Sequence, residues 1–113
     1  MMNDFQLLID ELVKFRDARQ WEQFHNTKDL ALALSIEAAE LNELFLWKPV
    51  EECENVDRAR LREELADVFA YSLLLAGKHG LDVKEIVIEK IRKNNEKYPV
   101  DKSKGTARKY NQL

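Results

Sequence analysis

The chain has 113 residues, 35% of them charged and 45% hydrophobic, and a net charge of −3. That is room for one domain with a single core, and the charge balance offers no general attraction to nucleic acid or to an anionic membrane. A single cysteine, Cys53, excludes an intramolecular disulfide and a cysteine-built zinc site, and suits a reducing compartment.

The opening residues, Met1-Met2-Asn3-Asp4-Phe5, lack a basic region followed by an apolar run, and no apolar stretch reaches the roughly 18 residues that would span a bilayer. The sequence therefore reads as a soluble, unprocessed, cytoplasmic protein with no membrane partner. Asn3 supplies an N-cap with Gln6 three residues on, and Phe5, Leu8, Ile9, Leu12 and Phe15 recur at helical spacing. This predicts a first helix over about residues 4–20. Between Arg19 and Thr27 the periodicity stops, yet Trp21, Phe24 and His25 give the loop chemical content, and Asn26 or Thr27 can cap the next helix.

That second helix is predicted from about Lys28 to Leu46, with little of its circumference polar, ended by Trp47-Lys48-Pro49. Residues 49–57, rich in Glu, Asn and Asp, read as an exposed connection. A third helix is predicted from about Arg58 to Lys78, with Gly80 supplying a left-handed C-terminal residue. Its second half, Val68-Phe69-Ala70-Tyr71-Ser72-Leu73-Leu74-Leu75-Ala76, is apolar nearly all round, and four helices of this length hold too little mass to cover it. A homo-oligomer, dimer or tetramer, is the expected solution. Asp82-Val83-Lys84-Glu85 opens a fourth helix with Val83, Ile86, Val87 and Ile91 inward, and Tyr98-Pro99 closes it. The last stretch, Val100 to Leu113, is polar and basic, mobile unless docked. No run has a convincing strand period. The expected fold is all-α, a four-helix antiparallel bundle, with residues 1–99 as the helical domain and 100–113 as a basic tail.

Two short acidic signatures stand out against this apolar background, Glu37-Ala38-Ala39-Glu40 and Glu64-Leu65-Ala66-Asp67. Residues three apart share a helix face, so each signature sets two carboxylates side by side. Neither contains a Lys or Arg. Uncompensated charge on packed helix faces costs on the order of several kcal/mol per group, so positive charge must come from outside. Carboxylate oxygens are hard ligands suited to Mg²⁺ or Mn²⁺, and Mg²⁺ commonly shares its shell between carboxylates, waters and substrate phosphates. The residues alone thus point to a metal-dependent site for a phosphate compound.

The spacing Glu-x-x-Glu, 23 residues, Glu-x-x-Asp resembles the motif of the MazG-like, all-α nucleoside triphosphate pyrophosphohydrolases. Further blocks are similar to the dCTP pyrophosphatase branch: Trp21-Glu22-Gln23-Phe24-His25, Glu40 through Trp47, Lys93 through Pro99, and Ala107-Arg108-Lys109-Tyr110. The resemblance implies that Glu37, Glu40, Glu64 and Asp67 bind Mg²⁺ and carry catalysis, and that Trp21 and Trp47 hold the base by stacking. It further implies that Tyr71, Lys90, Asn94 and Tyr98 surround the phosphates, sugar and base of a nucleoside triphosphate. His25 joins the candidate substrate contacts, with helix capping as its other use. One departure is Leu12, where the branch can place a histidine facing the base, so the preferred pyrimidine stays open.

The expected reaction is hydrolysis of dCTP or a modified pyrimidine triphosphate to the monophosphate and pyrophosphate, in the service of nucleotide-pool sanitation. Two readings stand beside it: a pyrophosphatase of different base preference, and a non-catalytic helical oligomeric module that needs no metal. A di-iron carboxylate bundle is disfavoured, because it needs Glu-x-x-His on each of two helices, and here only Glu22-Gln23-Phe24-His25 has that spacing, in a predicted loop, while His79 follows Ala76.

Overall fold

The computed structural model describes residues 3–113. Met1 and Met2, the start of the segment read as leaderless, lie outside the described residues. Among the described residues all regular structure is helical: α1 (Asp4–Ala18), α2 (Thr27–Glu43), α3 (Val50–Cys53), α4 (Arg58–Lys78), α5 (Val83–Lys97) and α6 (Val100–Ser103), with 3₁₀ turns at Glu22–Phe24 and Tyr110–Gln112. No helix among them is long and apolar enough to cross a membrane. The chain divides into two compact units, one ending at Leu81 and the other running Asp82–Leu113.

The four long helices start where their capping residues dictate. Asn3 Oδ1 accepts from Gln6 N at 2.8 Å, Asn26 Oδ1 from Asp29 N at 2.9 Å, and Asp82 Oδ1 from Glu85 N at 2.9 Å. Asp57 caps α4 through Ala59 N at 3.0 Å. Each side chain satisfies an amide that the helix itself leaves open. The C-terminal ends of α1 and α4 are also alike. At the end of α4, Gly80 (φ 62°) lets Leu81 N bond Ala76 O at 2.9 Å and Gly80 N bond Gly77 O at 3.2 Å. At the end of α1 the same double bond is made by Trp21 N to Arg16 O (3.1 Å) and Gln20 N to Asp17 O (3.0 Å), with Gln20 at φ 54° in the left-handed position.

Three local differences from the sequence expectation have physical causes. Helix α2 stops at Glu43 rather than Leu46, because Leu44, Phe45 and Leu46 bond back to Leu41, Asn42 and Glu43, three residues earlier, in a tightening last turn. The connection 49–57 holds the single-turn helix α3, which Pro49 opens by accepting from Cys53 N. The tail holds α6, again begun after a proline, Pro99, whose carbonyl accepts from Lys102 N and Ser103 N.

Within the first unit α2 and α4 pack along each other and α1 lies against α4. Both pairs are antiparallel. Thr27 Oγ1, at the start of α2, is hydrogen bonded at 2.9 Å to His79 Nε2, just past the end of α4, and Ile9 of α1 meets Gly77 in the last turn of α4. Ile9, Leu30, Leu44, Leu73, Leu74 and Ala76 are the buried core. Much of the apolar surface remains open, including Leu32 (55% exposed), Ile36 (50%) and Phe69 (59%).

Candidate functional site

Antiparallel packing of α2 on α4 brings the two acidic signatures together. One carboxylate oxygen from each of Glu37, Glu40 and Glu64 lies within 4.8 Å of the others. Among the described residues none of these acids, nor Asp67, makes an ion pair with a Lys or Arg. Glu37 Oε2 and Glu64 Oε2 are enclosed and without a hydrogen-bond partner. Burial, then contact with Glu40 and the fields of Asp67 and Glu64, push the Glu37 carboxyl up to about 7. Glu64 is raised as well, by burial first and then by Glu40 and Asp67. Proximity of like charges in partial burial favours the neutral form, and a cation reverses that preference.

The donor set is oxygen only, with no imidazole or thiolate in the cluster, which suits a hard divalent ion. The two orphaned Oε2 atoms are what such an ion would satisfy, so the residues fit it. Asp67 stands one turn beyond Glu64 on α4, outside the trio, yet near enough to raise Glu37, Glu64 and Tyr71.

Beside the acids, between α1, the loop after it and α4, lies a cavity of about 230 Å³. Phe15, Trp21, His25 and Tyr71 bring aromatic rings to its wall, and Leu12 and Leu74 aliphatic ones. Phe15 and Trp21 meet edge to face at 5.8 Å, and His25 and Tyr71 at 6.4 Å. Arg19 backs the first pair, its guanidinium 3.7 Å from the Phe15 ring centre and its Nη1 donating to Phe15 O at 2.9 Å. The cavity's charged residues are Arg16 and Asp67. Burial and the Arg16 charge hold the His25 imidazole below its ordinary value, so the ring is neutral at physiological pH. Burial, then Glu37, Asp67 and Glu40, raise the Tyr71 hydroxyl.

The MazG-like family profile matches residues 32–113, a span that takes in both acidic signatures. The chain belongs to the MazG-like family. It is 43% identical over 105 residues to dCTP pyrophosphatase 1 of Bos taurus, a match covering 88% of this chain and 62% of that protein, and 39% identical over the same length to the Homo sapiens protein of that name. The chain thus spans less than two thirds of these curated relatives. The crystal structure of a pyrophosphatase from Archaeoglobus fulgidus superposes with a TM-score of 0.81 at 38% identity, covering 88% of this chain and 95% of that one. The all-α architecture is therefore that of a MazG-like pyrophosphatase.

Within this MazG-like frame the sequence candidates separate into groups. Glu37, Glu40 and Glu64 converge, and Asp67, Trp21, His25 and Tyr71 line the adjoining cavity. Trp47 is not part of that wall: it sits in the turn after α2 at φ 62°, 93% exposed. Lys90 and Asn94 lie four residues apart on one face of α5 in the second unit, and Tyr98 is the residue just past its end, its ring 6.1 Å from that of Tyr110. Arg16 was not among the sequence candidates. Its trace in the sequence is a charged residue seven on from Ile9, and helical spacing alone does not show that this face of α1 borders a cavity.

Proposed function

We propose that this chain is a Mg²⁺-dependent nucleoside triphosphate pyrophosphohydrolase, with Mn²⁺ able to substitute, acting on dCTP or a modified pyrimidine triphosphate. One observation carries the reading: unpaired carboxylates converging on a common point, next to a small aromatic cavity. The acids provide for a cation and the polyphosphate it escorts, the cavity for a flat ring. At about 230 Å³ it falls below the roughly 300–1,000 Å³ of pockets that engulf whole ligands, which supports a base seated inside with the phosphates outside.

Glu37, Glu40, Glu64 and Asp67 would hold the ion. When bound it supplies Lewis-acid polarisation and neutralises charge on the triphosphate. A carboxylate of this set orients a water and accepts its proton as the oxygen attacks the α-phosphorus; the bond to the α,β-bridging oxygen breaks, and pyrophosphate leaves. Trp21 and Trp47 hold the base, and Tyr71 and His25 border it. Residues 1–99 form the catalytic domain and 100–113 a basic tail. The exposed apolar side chains of Leu32 and Ile36 on α2 and of Phe69 on α4 support a homo-oligomer, dimer or tetramer.

Pyrophosphate release from common and C5-substituted nucleoside triphosphates, with Mg²⁺ or Mn²⁺, tests the proposal. Glu64→Gln is expected to lower turnover at least about 100-fold with the helices intact by circular dichroism. Retained turnover would move the catalytic centre elsewhere.

A further inference from the structure

The cavity is electrically two-sided. Tyr71 lies under the field of the carboxylates, whereas His25 lies under that of Arg16. A triphosphate escorted by a cation belongs on the acid side, which leaves the Arg16 side to the base.

Arg16 is an unusual group to find there. Its side chain is 18% exposed, on the stripe of α1 that otherwise carries the buried Ile9 and the cavity residue Leu12. Two of its three nitrogens are occupied: Nε donates to Asp17 Oδ1 at 2.9 Å, and Nη2 lies 2.8 Å from Asp17 Oδ1 and 3.9 Å from Glu22 Oε2. Nη1 has no partner among the described residues. Asp17 and, more distantly, Glu22 blunt the guanidinium's positive charge, so Arg16 is a poor anchor for a phosphate. It remains a fixed donor, since the planar fork is pre-aimed by its outer ion pairs. Its own carbonyl meanwhile accepts from Trp21 N at 3.1 Å, so Arg16 both lines the cavity and fixes the Trp21 wall beside it.

We propose that Arg16 is a specificity-determining residue, whose Nη1 donates a hydrogen bond to a ring-nitrogen acceptor on the edge of the substrate's nucleobase, one that cytosine offers at N3 and that thymine and uracil, protonated there, do not. The assignment rests on the pyrophosphohydrolase reading of the site. In a cavity whose other charged lining residue is Asp67, on the acid side, a charge-assisted donor discriminates strongly, because a base with no acceptor there leaves it unpaired.

The test compares wild type, Arg16→Met, which keeps an unbranched stem of similar length, and Arg16→Lys, which keeps the charge without the fork. Each is assayed for pyrophosphate release on dCTP, dTTP and dUTP, and on base-free 2-deoxyribose 5-triphosphate. Arg16→Met is expected to raise KM for the preferred base-bearing substrate about 10- to 100-fold with kcat nearly unchanged. Base-free turnover stays the same, and Arg16→Lys falls between. Equal losses on base-bearing and base-free substrates would make Arg16 a structural residue and overturn the assignment, as would unchanged selectivity. A wild type inactive on every triphosphate overturns the functional reading and this assignment with it; an active wild type with unaltered selectivity in Arg16→Met overturns the assignment alone. Thermal melts of both variants separate loss of fold from loss of recognition.

Discussion

Ile9 and Gly77 touch where α1 crosses the last turn of α4: a Cβ built on Gly77 would lie 2.8 Å from Ile9 Cγ2. Two effects oppose each other in Gly77→Ala. Alanine favours the helix by roughly 0.5–1 kcal/mol, but overpacking a close helix contact costs roughly 1–3 kcal/mol. The clash wins, since the obstructing atom is the branch of a buried, β-branched side chain that cannot swing away. The expected result is a net loss of about 1 kcal/mol in denaturant unfolding, partly restored by Ile9→Leu, which moves that branch further from the backbone. An unchanged midpoint in Gly77→Ala would mean that α1 shifts freely on α4.

Gln20 holds a left-handed conformation that costs a side-chain-bearing residue roughly 1–2 kcal/mol. Gln20→Gly removes most of that strain and returns some of it as chain entropy in the unfolded state. A gain of about 0.5–1 kcal/mol is expected by urea unfolding, with the Trp21 environment unchanged by fluorescence. A loss of stability would show that the Gln20 side chain contributes more than its backbone costs.

Glu37 gives the metal-free protein a characteristic pH response. Its carboxyl titrates near 7 in the folded chain and near 4.5 when unfolded, so between these values the folded state binds the extra proton. Stability is therefore greatest below about pH 4.5 as far as this group is concerned, and falls as pH rises through 7. Melts in EDTA from about pH 5 to 8 are expected to show this decline, and Glu37→Gln to flatten it. Adding Mg²⁺ at about pH 8 should raise the wild-type midpoint and leave the variant's nearly still. A wild-type melt insensitive to both pH and Mg²⁺ would contradict the site.

Trp47 offers the opposite case, a large ring at 93% exposure that contributes almost nothing to the first unit's packing. Trp47→Ala should change stability by no more than about 0.5 kcal/mol. If the ring holds the base, KM rises while kcat is nearly constant. A normal KM would remove Trp47 from the substrate contacts.

The starts of α1, α2 and α5 were legible because Asn3, Asn26 and Asp82 each signal their position through a hydrogen bond local in sequence. Gly80 marked the end of α4 for the same reason. Helix α3 was not legible, since four residues are too few to display a period and Glu51 and Glu52 read as loop. The acidic trio could be found from spacing on two helices, because antiparallel packing was enough to join them. Arg16 could not be found that way. Its meaning depends on which side of α1 faces the space above α4, and on Asp17 and Glu22 holding the fork, neither of which periodicity records.

The cavity's walls on the α1 side, Leu12, Phe15, Arg16 and Trp21, all come from ten consecutive residues, closed at one end by the Trp21 amide clasping the Arg16 carbonyl. The carboxylates come from α2 and α4. On the proposed reading, much of what is chosen is thus written on a different stretch of chain from what is done to it, with His25, Trp47 and Tyr71 as the base contacts outside it. Residues 12–21 would then act as a cassette, and transplanting that decapeptide between relatives should shift the taste for one base while leaving the hydrolytic engine in place.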